Sequence, residues 1–399
     1  MISRRSFLRA SGITVGILGA PSWLLRAAAQ GRGSRKVLVA VFQRGAADGL
    51  NMVVPFFERR YYQLRPTIGV PRPGAQNGAL DLDGRFGLHP ALRPLQPLWD
   101  AGHLAIVHAA GSPDASRSHF DAQEYMESGT PGRKLDEGWL NRALPDGSDA
   151  SSPLRAVAMA TELPLSLRGS HGAIALDDLS AFQLGNVEVA AGLEALYPLS
   201  SDARLATRGS KMFEALHVID AMRQKPYTPA AGAQYFGNFG RRLREVARLI
   251  KADIGVEVAF ADIGGWDHHN NEPQQLTPVL NEFGSNVAAF FTDLGDRIED
   301  VVVVTMSEFG RTVAENGSAG TDHGHGDVMM VLGGAVRGRR VYGDWPGLEP
   351  EQLYEKRDLA VTTDFRDVLG EIVRVHLGQS PAQVFPGHQA GGGLELLRS

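Results

Sequence analysis

An aspartate and two histidines stand together in the segment 264–271, which reads GGWDHHNN and follows the apolar run 256–263. Asp267 and His269 are two positions apart, so in an extended chain their side chains would point to the same side and could share a metal ion. The two glycines that introduce this group predict a loop. The segment is therefore predicted to hold part of a metal site, and a solvated polar loop is the alternative.

A second concentration of ionisable side chains occupies the segment 320–327, which reads GTDHGHGD. Asp322, His323, His325 and Asp327 lie within six residues and lead into a predicted strand. A mixed set of histidine and carboxylate ligands suits zinc, manganese or iron, whereas carboxylates alone suit magnesium or calcium. If two cations were held close together, they would clamp the attacking and leaving oxygens of an in-line displacement.

Three more polar side chains follow predicted strands. Glu308 and Arg311 come after the apolar run 301–305, and Asp48 comes after the run 36–42. In open α/β sheets, ligands bind beyond the carboxyl ends of the strands, so all three are expected near the site. An aspartate before a glycine is also common in turns, and a turn is the alternative for Asp48.

A candidate nucleophile lies in the segment 116–121, which reads SRSHFD. Ser118 would stand at the start of a helix predicted near 121–128, where free N–H groups and the helix dipole favour an anion. Arg117 beside it could bind an anionic group. The alternative for Ser118 is an ordinary N-cap serine.

The composition limits the chemistry that the chain can perform. Its 399 residues include 12 histidines and no cysteine, which excludes disulfides, thiolate nucleophiles and iron–sulfur clusters. Any metal must therefore be held by His, Asp, Glu or hydroxyl groups. The 40 basic and 45 acidic residues give a net charge of −5, which argues against a general nucleic-acid binder.

The first 29 residues are predicted to be a cleaved twin-arginine (Tat) signal peptide. Arg4 and Arg5 precede an apolar run over 10–25, and a small-residue cleavage site ends at Ala29. The run of 16 residues is shorter than the roughly 20 that a membrane span needs. We therefore expect the Tat export machinery as a partner, a periplasmic or secreted location and no membrane span after cleavage.

Elements that could position these side chains alternate along the mature chain. Apolar runs typical of buried strands occur at 36–42, 104–108, 256–263, 301–305 and 329–332, and helical periodicity appears at 236–252, 279–294 and 365–373. This alternation predicts an α/β fold, with a doubly wound, mostly parallel sheet and helices on both faces. Residues 30–399 are expected to form a single domain with loop insertions, including a possible cap at about 170–235. The stretches 65–87 and 128–155 are predicted as loops.

Six ordered motifs make the chain resemble the DUF1501 family. They are the leader, RGAADGLN (44–51), RSHFDAQEYMESG (117–129), GGWDHHNN (264–271), MSEFGRT (306–312) and the segment 320–348. The family resembles the alkaline phosphatase superfamily, which includes sulfatases and cofactor-independent phosphoglycerate mutases. The resemblance implies an alkaline phosphatase-like α/β core that binds one or two divalent metal ions, such as zinc, manganese, calcium or magnesium.

The resemblance also implies roles for particular residues. Asp48 matches the superfamily's first aspartate, Ser118 matches its nucleophile by position, and Asp267 with His269 matches one metal site. Glu308 falls where an Asp-His pair is expected, and His323 fits the last histidine.

The sequence departs from the superfamily pattern at two points. Phe309 follows Glu308 in place of a histidine, so that site would either lack a ligand or borrow Asp322 or His325. The absence of cysteine excludes a sulfatase with a cysteine-derived nucleophile.

The leading hypothesis is an exported metal-dependent hydrolase of phosphate or sulfate esters, with a small molecule or a glycan ester as substrate. A metal-activated Ser118 would attack, and Arg44, Arg117 or Arg311 would bind the anion. The alternative is a non-catalytic envelope binding or scaffold protein on the same fold. A Tat-exported enzyme of another class ranks third, because the first strand is not followed by a dinucleotide fingerprint.

Overall fold

A computed structural model describes residues 35–145, 152–179 and 187–398. The predicted leader over 1–29 lies outside these ranges. Within the described part of the chain, no helix combines the length and the apolar character that a membrane crossing requires.

Twelve strands form two sheets in the described residues. They are β1 (Val37–Gln43), β2 (Val53–Val54), β3 (Leu80–Asp81), β4 (Gly87–Leu88), β5 (Leu104–Gly111), β6 (Ala156–Met159), β7 (Ile174–Ala175), β8 (Val258–Ile263), β9 (Val301–Met306), β10 (Asp327–Gly333), β11 (Arg340–Tyr342) and β12 (Thr363–Asp364). The larger sheet has the order β11-β5-β10-β9-β1-β8-β6-β7, with β12 beside β5, while β2, β4 and β3 form a small separate sheet.

The larger sheet is mostly parallel, as predicted. Strand β10 is antiparallel to both of its neighbours, β9 and β5, and every other pairing in this sheet is parallel. The carboxyl ends of β1, β5, β8 and β9 therefore meet at one edge of the sheet, together with the start of β10. Every segment that carries a predicted site residue is attached at this edge.

Both faces of the sheet are covered. Alternate residues of β1 belong to two separate apolar clusters, with Val39 on one side and Ala40 on the other. This arrangement explains why the strand has a continuous apolar sequence, since alternation with polar residues is expected only when one face meets water. The sheet is thus an α/β sheet between two helical layers, which confirms the predicted class.

The helices have the following bounds in the described residues. They are α1 (Gly49–Met52), α2 (Arg59–Leu64), α3 (Gln96–Asp100), α4 (His119–Ser128), α5 (Trp139–Arg142), α6 (Val187–Leu196), α7 (Ala203–Arg223), α8 (Gly237–Lys251), α9 (Glu272–Leu294), α10 (Phe365–Val375) and α11 (Pro381–Val384), with 3-10 turns at Pro90–Leu95, Leu165–Leu167, Tyr197–Leu199 and Gly295–Asp300. The apolar faces of α8 and α9 pack into one cluster and that of α10 packs into the other, so helices cover both sides.

Some stretches predicted as loops contain short elements. The stretch 128–155 includes α5, whose Trp139 is completely buried, and the stretch 65–87 contributes β3 to the small sheet. Region 170–235 contains β7, which joins the edge of the large sheet, followed by α6 and α7. Its role as a cap stays a prediction.

Candidate metal centre

Loops from five strands converge at the carboxyl edge of the large sheet. The turn after β1 passes so close to the loop after β8 that a Cβ on Gly45 would lie 2.8 Å from the backbone nitrogen of Asp267. Gly45 also has a φ of +119°, which side chains disfavour. A glycine is therefore required there for the two loops to meet.

His119 is the first residue of α4, and its ring is fixed by a buried carboxylate. Its Nδ1 lies 2.9 Å from Oε1 of Glu308, which also accepts bonds from the backbone nitrogen of Gly45 and from the Gln123 amide. Ionised Glu308 can only accept, so the imidazole proton is on Nδ1 and donates to it. The Nε2 lone pair of a neutral His119 ring then faces Asp267, with Nε2 3.6 Å from Oδ2.

His323 and His269 present their Nε2 atoms in the same way. Nδ1 of His323 donates to the carbonyl oxygen of Arg117 at 3.0 Å, and Nδ1 of His269 lies 3.3 Å from a carboxylate oxygen of Asp322. Their Nε2 atoms are 3.1 Å apart and lie 3.3 Å and 2.9 Å, respectively, from Oδ1 of Asp267. Two imidazole lone pairs this close repel each other unless a proton or a cation lies between them.

Asp267 is the centre of the cluster and is held by a buried arginine. Nη2 of Arg311 donates to its Oδ1 at 2.6 Å and to the backbone carbonyls of Gly45 and Trp266. Nε and Nη1 of Arg311 donate to the carbonyls of Ala46 and Thr321. Although burial alone would raise it, the bond and charge of Arg311 lower the pKa of Asp267. The carboxylate therefore stays ionised, as a metal ligand would need to be, and its side chain is partly exposed.

The donor set fits one divalent cation. Donor atoms of His119, Asp267 and His323 all lie within 4.8 Å of one another, and Nε2 of His269 borders the same group. Ligands held about 2.0–2.1 Å from a tetrahedral zinc ion are separated by roughly 3.3 Å, which is close to the spacings seen here. Each ring is also anchored through Nδ1 to an oxygen acceptor, as metal-binding histidines usually are.

The pKa directions of the histidines follow from their surroundings. The hydrogen bond to Glu308 raises the pKa of His119 despite its partial burial, whereas burial lowers the pKa of His323. Glu308 itself has a lowered pKa: burial opposes ionisation, but the bonds from His119 and its other donors outweigh that effect.

The structure brings together some of the predicted ligands and places others behind them. Asp267, His269 and His323 are in the cluster. Glu308 and Asp322 contact the rings of ligand histidines through Nδ1.

Asp48, predicted as a ligand, is used elsewhere. Its Oδ1 caps α1 through the backbone nitrogens of Leu50 and Asn51, and its Oδ2 forms a buried ion pair with Arg65 at 2.5 Å. Burial would raise its pKa, but the charge of Arg65 lowers it. No oxygen of Asp48 is left without a partner.

His325 and Arg117 also point away from the cluster. The ring of His325 stacks on Tyr354 with centroids 4.3 Å apart. The guanidinium of Arg117 pairs with Glu355 at 2.7 Å and Asp358 at 2.6 Å. In these positions Arg117 contributes its backbone carbonyl to the site, not its charge.

Ser118 precedes His119 and caps α4. Its Oγ accepts weakly from the backbone nitrogen of Asp121 at 3.5 Å, which is the role foreseen as the alternative to nucleophile. The Ser118 hydroxyl also hydrogen-bonds the side chain of Asp121.

His119 is the site residue that the sequence interpretation missed. It stands in the same segment as Ser118, but its partners Glu308 and Asp267 are 189 and 148 positions away in the chain. A histidine at the first position of a helix that follows a strand was the available signal.

Comparison with known proteins identifies a family for this chain. The profile of a family described as "Protein of unknown function (DUF1501)" matches residues 35–378. No curated protein sequence matches the chain.

Among solved structures, the chain is similar to the PH0037 protein from Pyrococcus horikoshii (12% identity, covering 75% of this chain and 86% of that one, TM-score 0.30). It is also similar to the PsFucS1 sulfatase from Pseudoalteromonas sp. (10% identity, covering 95% of this chain and 78% of that one, TM-score 0.36). A third similar structure is BT1596, a 2-O GAG sulfatase (11% identity, covering 77% of this chain and 66% of that one, TM-score 0.29). Similarities this weak carry no argument about activity.

Proposed function

This chain belongs to the DUF1501 family, and from its site we propose that it binds one divalent cation through His119, Asp267, His269 and His323. We propose further that it uses this ion to hydrolyse phosphate or sulfate esters. The observation that carries the proposal is the convergence of three imidazole Nε2 atoms on one ionised carboxylate. The leader sequence supports export by the Tat machinery to the periplasm or beyond the cell.

A bound cation would supply positive charge that stabilises the transferring group and lowers the pKa of a coordinated hydroxyl. The residues of the chain have separate tasks. Glu308 and the carbonyl of Arg117 keep the rings of His119 and His323 oriented, and Arg311 holds Asp267 ionised. These fixed contacts mean that the site needs little reorganisation on binding.

Ser118 remains the proposed nucleophile because it directly precedes His119 in the chain, at the start of α4. Its oxygen would bond to phosphorus or sulfur while the ester bond breaks, and the departing alcohol would take up a proton. Water would then cleave the serine ester and release phosphate or sulfate. Such a two-step route is typical of enzymes with an activated serine.

The first experiment is elemental analysis of the exported protein. We expect about one divalent ion per chain, lost in His119→Ala and Asp267→Ala. His217→Ala is the matched control, because this histidine is exposed on α7 and pairs with Glu194. A wild-type protein that holds no ion, even after dialysis against zinc or manganese, would overturn the proposal.

The second experiment separates hydrolysis from simple binding. Turnover of 4-nitrophenyl phosphate and 4-nitrophenyl sulfate is measured for the wild type, Ser118→Ala and Ser118→Asn. Asparagine caps a helix as well as serine does but has no hydroxyl, so both variants should lose turnover while only Ser118→Ala loses the cap. Full metal content with no turnover of either ester in the wild type would instead favour the non-catalytic binding protein, which the capping role of Ser118 also fits.

A further inference from the structure

Two neighbouring cavities extend from α4 to β7, the strand at one end of the large sheet. The first has a volume of about 510 Å³ and the second of about 630 Å³. Leu163 and Arg168 line both cavities, so the two are neighbours. The second cavity also borders β7, the last strand of the large sheet.

The first cavity adjoins α4, and its charged lining is mixed: three arginines lie beside four acids, namely Arg44, Arg168, Arg242, Glu124, Glu127, Glu162 and Asp262. Phe120 follows the ligand His119 in the chain, and Gln123 donates to Glu308 at 2.9 Å. The ring of Phe120 is 85% exposed. It offers a flat apolar face on which a ring of a ligand could stack.

All the charged side chains that line the second cavity are basic. Arg155, Arg168, Arg208 and Lys211 surround it, and no acidic residue is among its described lining residues. Arg155 is paired with Glu257 at 2.8 Å, but Arg208 and Lys211 form no salt bridge with any described residue. The whole chain carries a net charge of −5, so this group of cations is opposite in sign to the charge of the chain as a whole.

Apolar side chains complete the second cavity. Leu163, Leu167, Ile174 and Met212 line it, and Met212 is 39% exposed. A free inorganic anion would leave this surface uncovered, whereas negative groups carried on a carbon skeleton would cover it. The cavity volume is within the range that organic ligands fill.

Resting on the proposed function, we propose that the substrate is an extended organic polyanion. Its scissile ester would lie at the metal cluster, its chain would pass Phe120 and Arg168, and further negative groups would bind Arg208 and Lys211. The ligand class is a chain of ring units that carries several sulfate, phosphate or carboxylate groups. A single small ester would occupy only the first part of this path.

Binding is tested first, without any need for turnover. The probe is size-selected dextran sulfate, titrated into the exported protein by calorimetry, with uncharged dextran and inorganic sulfate as comparisons. We expect dextran sulfate alone to bind measurably. The pair Arg208→Gln with Lys211→Gln should weaken its binding at least tenfold and reduce the salt dependence of the affinity.

The matched control removes two exposed arginines that line neither cavity, Arg93→Gln with Arg340→Gln. It makes the same change in net charge and should leave the affinity within twofold of the wild type. Equal weakening in both double variants would mean that dextran sulfate senses only overall charge, and the proposal would be overturned. Wild-type protein that does not bind dextran sulfate would overturn it as well.

A competition experiment then tests whether the cavities and the candidate metal site bind the same ligand. Dextran sulfate should inhibit wild-type turnover of 4-nitrophenyl sulfate or phosphate competitively, with at least a tenfold higher inhibition constant when Arg208 and Lys211 are replaced. Turnover that dextran sulfate does not affect would refute the extended substrate and leave the hydrolase intact. Binding that depends on these cations in a protein that hydrolyses neither ester would refute the hydrolase, while the polyanion site itself would stand.

Discussion

The buried pair of Asp48 and Arg65 gives a stability prediction that can be worked from its contacts. The Arg65 side chain is fully buried, and besides its bond to Asp48 it donates to the carbonyls of Val313 at 2.9 Å and Thr312 at 2.8 Å. Arg65→Met would leave one buried carboxylate and two carbonyls without these donors. Because removing one partner of a buried ion pair costs about 3–5 kcal/mol, we expect a loss in that range.

Asp48→Asn should cost less than Arg65→Met. Glu272 lies in the same network and already acts on the charge of Arg65, so it can ionise when Asp48 is made neutral. The double variant should lose less than the sum of the two single losses, since each single change leaves the other group unpaired.

The assay is urea unfolding, with the free energy of unfolding obtained by linear extrapolation. Arg59→Met is the matched control, because Arg59 is exposed at the start of α2, the helix that Arg65 follows. The control should stay within about 0.5 kcal/mol of the wild type. A loss below about 1 kcal/mol in Arg65→Met, or strictly additive losses in the double variant, would refute the reasoning.

The same variants decide what Asp48 does at the site. If Asp48 serves α1 and Arg65, Asp48→Asn should be less stable yet hold as much metal as the wild type. A metal ligand would give the opposite result, with metal lost and stability of the metal-free protein little changed.

Two further predictions concern the segments that position the cluster. Burial and the charge of Asp48 raise the pKa of Glu272 well above its ordinary value, so its contribution to stability is complete below about pH 4.3 and is lost as the pH rises. Glu272→Gln should therefore gain stability relative to the wild type between pH 5 and pH 8 in urea unfolding; a pH-independent difference would contradict this. A Cβ on Gly320 would lie 2.3 Å from the carbonyl carbon of His269, so Gly320→Ala should weaken metal binding in a zinc titration. Gly317→Ala, with nothing within 4 Å of its Cβ, should not, and equal effects of both would count against the close approach.

The main sheet could be predicted because its strands are buried on both faces. β1, β8 and β9 are mostly apolar, with a polar residue only near the carboxyl end of each, and their observed bounds differ from the predicted ones by one or two residues. β6 was not predicted, because its four residues, AVAM, are short and carry two alanines. The strand is identified by its pairing with β8, a long-range contact that no local pattern reveals.

Helix bounds were predicted where the apolar periodicity is strong and less well at their ends. The periodicity of α9 is clear from 279 onward, yet the helix begins at Glu272. Its first turn carries Pro273, which suits that position because its missing N–H would have no helical partner. The first turn of the helix is mostly polar, so a prediction from apolar periodicity alone places the start of the helix too late.

The cluster was predictable as far as its members are neighbours in sequence. Asp267 and His269 stand two positions apart, and His323 lies in an equally dense segment. What the sequence could not provide is the partner of each carboxylate. Asp48 and Glu308 follow strands in the same way, but one meets Arg65 and the other meets His119.

The order of the strands explains this limit. The loops after β1, β8 and β9 meet because these strands are adjacent, whereas β5 is separated from β9 by the antiparallel β10. α4 starts beyond the end of β5 and places His119 across that gap, next to Glu308. Nδ1 of His119 bonds the Glu308 carboxylate, and Nε2 of the same ring faces Asp267. An acid at a strand end thus becomes either a ligand or the support of one, according to which loop lies opposite. Since that is decided by strand order and not by residue spacing, Glu308 holds the ring of His119 here, although its position in the sequence suits a ligand equally well.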